Sequence, residues 1–211
     1  MPIFLGVIVA VVMGWFAIGT IYNIRKGNAV MKWLQGGLPL LGEHTTMRWL
    51  GTTAVEMVIS KAKPPFEQVG LVIFMEPRDV PWFWGLARLQ GRRDTLIIRA
   101  QLSASPHVDF EVLDRKSWSG RDALKRIESE RWTVSEPPTD GDLPVYYKTE
   151  AALGRANTLL RLARQSDFVV QRLSLRHTEP HLQMHLALPS PSASARDFFQ
   201  SVRAMGERAS G

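Results

Sequence analysis

The chain has 211 residues, an ordinary hydrophobic fraction of 45%, 26 Lys and Arg against 20 Asp and Glu, and no cysteine. The missing cysteines exclude disulfides, thiolate zinc sites, iron–sulfur ligation and cysteine nucleophiles. The net charge of +6 is spread along the chain and punctuated by acids; it makes no basic stripe for nucleic acid, and suits an anionic lipid surface first and an acidic protein partner second.

The first predicted element is a membrane anchor. Residues Ile3–Tyr22 (IFLGVIVAVVMGWFAIGTIY) carry no charge, and every Lys, Arg, Asp and Glu follows them, from Arg25 onward. Twenty apolar residues match a hydrocarbon core of roughly 30 Å. A cleaved signal would carry a positive n-region, a shorter apolar run and a small-residue cleavage site; here Met1 and Pro2 precede the run and Thr20-Ile21-Tyr22-Asn23 ends it. Arg25, Lys26 and Lys32 follow the span, so the positive-inside rule places the N-terminus outside and the C-terminal domain in the cytoplasm. Tyr22 and Trp33 suit the headgroup level, beside those three cations. Gly6, Ala10 and Gly14 recur every fourth residue, a small-xxx-small stripe on which another membrane helix can pack closely. With no ionisable residue inside, the span offers no proton relay and no axial ligand.

Residues 1–24 are thus the anchor and 25–43 a juxtamembrane segment. The latter contains GGLPLLG, read as a hinge with Leu38, Leu40 and Leu41 resting at the headgroups. Two units follow, at 44–130 and 131–211, related by a repeat of 73 to 75 residues. Asp94, Arg99 and Pro106-His107 of DTLIIRAQLSASPHVDFEV match Asp167, Arg172 and Pro180-His181 of DFVVQRLSLRHTEPHLQMHL. LARLQGRRD matches LLRLARQSD, Ser119-Gly-Arg-Asp matches Ser194-Ala-Arg-Asp, and Pro64-Pro65 matches Pro137-Pro138.

Each unit reads strand, strand, helix, strand, strand, helix. In the first, strands are predicted over 53–61 and 69–76, a helix over 80–90, strands over 95–103 and 108–113, and a helix over 121–130 capped by Ser119. Pro81 opens the first of these helices, where its missing N–H costs nothing. Val108, Phe110 and Val112 point inward; Asp109 and Glu111 point outward, where solvation is the default. In the second unit, strands are predicted over 132–135, 145–148, 168–176 and 182–188, and helices over 151–164 and 195–208. Glu136–Asp142 is the loop between units. The fold class is α+β: a duplicated ββαββα domain whose helices cover one face of antiparallel sheet.

No chemistry-bearing constellation emerges. His177, His181 and His185 recur every fourth residue, but Pro180 breaks any helix and 182–188 alternates as a strand. Residues four apart in a strand are roughly 13 Å apart and cannot share a metal; solvent-facing histidines are expected. P-loop, G-x-G-x-x-G, G-x-S-x-G and H-E-x-x-H motifs are absent, so no catalysis and no cofactor are expected. VPWFWGL (80–86) packs Trp82, Phe83 and Trp84 into one turn and a half. Core packing is the plain reading of this cluster; a partner-binding or membrane-dipping surface comes second, strengthened because the second unit has Arg155 and Asn157 in place of its tryptophans, and a ligand pocket third. The expected function is a non-catalytic, single-pass accessory subunit. It would dock into a larger membrane complex, for which a respiratory or photosynthetic assembly is one natural host. A membrane-tethered ligand- or lipid-binding module with a cavity between the halves is the alternative, and an enzyme of unfamiliar type the third reading.

Overall fold

A computed structural model describes residues 2–136 and 143–210. The chain is α+β: an apolar N-terminal helix, then nine strands in one antiparallel sheet with helices. Helix α1 runs unbroken over Pro2–Gln35, so the segment expected as juxtamembrane is helical for its first eleven residues. A 3-10 turn at Leu38–Leu40 follows. Strands β1 (Thr45–Trp49), β2 (Ala54–Ile59) and β3 (Phe66–Phe74) precede α2 (Pro81–Leu89). Then come β4 (Thr95–Leu102), β5 (Phe110–Leu113), α3 (Trp118–Glu128), β6 (Thr133–Ser135) and β7 (Val145–Tyr147). Helix α4 (Glu150–Gln165), β8 (Val170–Leu175), β9 (Leu182–Ala187) and α5 (Ala195–Ser210) complete the chain.

The strand order is β1-β2-β3-β4-β9-β8-β5-β7-β6. The first predicted unit has one strand more than the second; with β1 set aside, the elements run β2-β3-α2-β4-β5-α3 and β6-β7-α4-β8-β9-α5. The sheet does not treat them alike: β5 lies between β7 and β8, whereas its counterpart β9 lies between β4 and β8. Pro137, Pro138 and most of the predicted inter-unit loop lie outside the described residues.

Period-two alternation decides which face of the sheet is the core. Leu71 and Ile73 of β3, Leu96 and Ile98 of β4, Phe110 and Val112 of β5, Leu173 and Leu175 of β8, and Leu182, Met184 and Leu186 of β9 join one cluster with residues of α1, α4 and α5. Each such side chain stabilises the fold by about 1.5–3 kcal/mol. Helix α5 comes close because Gly206 has no side chain; a Cβ there would lie 2.3 Å from the Phe66 ring. Thr149 caps α4 by accepting the Ala152 N–H.

Three expectations are corrected by the structure, and one strand is new. Helices cover both faces: α3 packs on the face opposite α4 and α5, where Ala123 and Ile127 meet Leu113 and Tyr146 in a separate small cluster. The cap of α3 is Ser117, which accepts the Gly120 N–H, while Ser119 lies inside the first turn. Leu38 and Leu41 are buried in the main core rather than free for headgroups, because the turn at 38–40 tucks under α5. Strand β1 was not anticipated: TTMRW is an exposed edge strand paired to β2, and lacks the apolar run that marks a buried one.

Candidate functional site

Helix α1 is long and apolar enough to cross a membrane. From Trp15 onward it is not free, however. Trp15 donates its indole N–H to the Arg78 carbonyl at 3.0 Å. Asn23, fully buried, donates to the Glu76 carbonyl at 3.1 Å and accepts from Arg78 Nη1 at 3.2 Å. Lys26 pairs with Asp94, and Val30, Met31 and Leu34 enter the core. Gly19 and Gly27 make this contact possible: a Cβ at Gly19 would lie 2.3 Å from the Arg78 carbonyl oxygen, and one at Gly27 would lie 2.6 Å from Trp49. The undocked part, residues 3–14, is about 18 Å long at 1.5 Å per residue, shorter than a hydrocarbon core of roughly 30 Å.

The turn that receives α1 leads directly into α2. Trp84 faces inward: its ring lies 6.3 Å from that of Trp15, and its indole N–H is held by the Glu76 carboxylate. Trp82 and Phe83 face out, 62% and 58% exposed, with Leu86 and Leu89 exposed beside them. The aromatic triplet is thus divided between a clasp on α1 and an open apolar surface. Gly6 and Gly14 have open space where a side chain would be. At 100° per residue, the Gly6, Ala10 and Gly14 stripe lies roughly 150° around α1 from the docked face.

Tyr22 lies under the Arg78 guanidinium, 5.2 Å from its ring centroid. Arg25 and Lys32 are exposed, whereas Lys26 is committed to Asp94. Trp33 donates to the Ala193 carbonyl at 2.6 Å and packs edge-on to Phe198, so it braces α5. Asp94 ties these parts together, accepting from Arg78 at 2.8 and 2.9 Å and from the Glu76 N–H at 2.8 Å. Burial alone would raise its pKa, but bonds from Arg78 and Lys26 outweigh burial and hold it below the usual value.

The sheet face beneath α3 holds a second polar cluster, which corrects the expectation of solvated acids. Glu111 is 0% exposed. Its carboxylate takes Arg172 in a two-bond fork at 2.8 and 2.7 Å, Ser174 Oγ at 2.9 Å and Arg176 Nε at 3.2 Å. Asp109 is also buried, bonded to the His177 N–H and ring and to Lys148. Burial acts to raise its pKa, and these partners hold it low.

The three spaced histidines separate as geometry requires, but two are buried rather than solvent-facing. His181 Nδ1 accepts the Leu102 N–H at 3.0 Å. His185, on β9, lies beneath α3 at 7% exposure. Burial first, then the nearby charges of Arg172, Arg99 and Arg126, push its pKa down to about 3. Unfolded, it would titrate near 6.5. The folded state therefore binds fewer protons between those values, and stability must fall as pH falls through that window. This group costs about 1.4 kcal/mol per pH unit below 6.5. Tm measured by tryptophan fluorescence in detergent should decline from pH 6.5 to 4.5, and His185→Gln should flatten that decline by about one proton. Parallel slopes for the two proteins would show that His185 is not buried in this way.

The cluster at Glu111 and the clasp at Asp94 escaped sequence reasoning. A faint signal existed: a lone Glu and a lone Arg each interrupt short apolar strands, FEVL and VQRLSL. No known family model matches the chain, and no curated protein is detectably similar to it.

Proposed function

We propose that this chain is a non-catalytic, single-pass accessory subunit of a larger membrane complex, anchored by α1 with its C-terminal domain in the cytoplasm. The observation that carries this reading is the division of α1 into two faces. One is fastened to its own domain from Trp15 to Leu34, and the other offers Gly6, Ala10 and Gly14 with nothing against them. A helix used only as a tether needs neither face. The partner on the open face is a helix of an integral membrane protein, admitted closely by the small side chains.

The shortness of the undocked segment adds a second element. With only residues 3–14 free, insertion of α1 as far as its docked part brings the turn at Glu76–Asp79 and α2 to the headgroup level. The exposed Trp82, Phe83 and Leu86 suit that depth, since aromatic side chains favour the interface. Arg25 and Lys32 then face the anionic leaflet.

Gly14→Leu tests the reading. The new side chain has room and adds no charge, so folding and membrane insertion should survive. Close helix packing should not, and the variant should stay in the membrane fraction but fail to co-purify with its complex in mild detergent. Val11→Leu is the control. Undiminished co-purification of Gly14→Leu would reduce α1 to a tether. For orientation, a reporter fused after Gly211 and active only outside the cytoplasm should stay silent; strong activity would reverse the topology.

A further inference from the structure

A cleft on the α3 side of the sheet is built as a binding site. It opens between the turn after α2, the first turn of α3, and the outer face of β4, β8 and β9, and it encloses about 200 Å³. Phe74, Ile97 and Trp118 give it apolar walls. Its polar lining is unusual. Ser119 and His185 are each only 7% exposed, yet Ser119 Oγ and His185 Nδ1 have no hydrogen-bond partner among the described residues. Buried polar atoms are nearly always paired, so an orphan pair lining one cleft points to a ligand.

The unpartnered atoms are donors. Gln183 Nε2 lies 2.7 Å from His185 Nε2, so the amide donates, Nε2 accepts, and the imidazole proton sits on Nδ1. Ser119 carries a rotatable O–H at the positive end of α3. At the rim stand Arg93 and Arg92, the latter stacked 4.5 Å over the Trp118 ring. Glu76, the one carboxylate in the lining, is already held by Trp84 and Arg78. The same Glu76 backbone receives Asn23 of α1, so the cleft lies beside the docked anchor.

We propose that this cleft binds an amphipathic oxyanion, its phosphate or carboxylate held by Ser119, His185 and Arg92 and its apolar body lying along Trp118 and Phe74. The site joins residues of both predicted units and needs no second protein. It therefore stands whether or not the accessory-subunit reading does.

The test is calorimetric titration of the full chain in non-ionic detergent with three probes: octyl phosphate, inorganic phosphate and octanol. Octyl phosphate should bind, with the other two weaker by tenfold or more. Ser119→Ala and Arg92→Gln should each weaken octyl phosphate by about tenfold or more, the size of a lost bond to a charged group. Ser119→Ala should meanwhile leave Tm unchanged or raised, because it removes a hydroxyl that no protein group satisfies. Equal affinity for inorganic phosphate would overturn the amphipathic part and leave a free phosphate site. Equal affinity for octanol would overturn the anionic part. Wild-type binding by both variants would overturn the site.

Discussion

Replacing Glu111 with alanine should destabilise the domain by about 3–5 kcal/mol, the cost of removing one partner from a buried ion cluster. The carboxylate is wholly buried and gathers Arg172, Ser174 and Arg176 from β8 and its end. Without it, Arg172 remains 7% exposed with no anion in its fork. Arg176 suffers less, because it also reaches Glu130 at 3.2 Å. The pair need not stabilise the fold relative to an apolar alternative, since desolvation consumes much of the Coulombic gain. The double substitution Glu111→Leu with Arg172→Leu should therefore recover most of the loss. Denaturant midpoints of wild type, single and double variants decide the matter. A loss under about 1 kcal/mol for Glu111→Ala would mean that water reaches the cluster, as in an exposed ion pair.

This cluster also marks where the sequence stopped being legible. Twelve of the fourteen helices and strands follow from apolar periodicity, and the inward set Phe110 and Val112 is where alternation puts it. Alternation separates the two faces of a strand but does not say whether the second face is covered. Helix α3 covers it, and so Glu111 and His185, assigned to solvent, are buried. The nine residues from the start of TTMRW up to β2 carry no such signal, because a largely exposed edge strand has no pattern to read. The candidate sites fared unevenly for a related reason. Exposed Trp82 and Phe83 could be singled out by composition. The clasp on α1 could not, because two of its decisive residues are Gly19 and Gly27, which act through side chains they lack. Hydropathy counts both as neutral members of an apolar helix. The cleft is illegible in another way: Gln171 and His185 meet Arg92 and Ser119 only because β4, β9 and β8 are neighbours in the sheet.

Gly19→Leu should detach the upper half of α1 from the domain without unfolding either. A Cβ at residue 19 would lie 2.3 Å from the Arg78 oxygen, 2.5 Å from its carbonyl carbon and 2.6 Å from the Asp79 Cα. All three are backbone atoms, which cannot swing aside as a side chain would. Overpacking of this kind costs about 1–3 kcal/mol. The Trp15 and Asn23 bonds that oppose it contribute about 1 kcal/mol each. Three approaches of 2.6 Å or less to backbone put the cost at the upper end of its range, above those bonds together, which favours separation over that stretch, while Val30, Met31 and Leu34 keep the lower helix in the core. Because the chain has no native cysteine, Trp15→Cys and Trp84→Cys report the contact; the pair itself removes the Trp15 bond to Arg78, so the effect of residue 19 is read within that same cysteine background. A short bifunctional maleimide should join them efficiently in the otherwise unchanged chain, and several-fold less well when Gly19→Leu is added. Gly6→Leu, which meets open space, should leave the yield alone. The depth of the protein in the bilayer should change as well. Once released, residues 15–22 lengthen the free apolar segment to the full twenty residues read from the sequence, about 30 Å. The helix can then span without drawing α2 to the headgroups, and Trp82 should lose its protection from an aqueous quencher in vesicles. Undiminished cross-linking in Gly19→Leu would show that α1 tolerates the clash and that the glycine is not what seats it. Cross-linking lost with Trp82 still shielded would uncouple the depth of α2 from the clasp on α1.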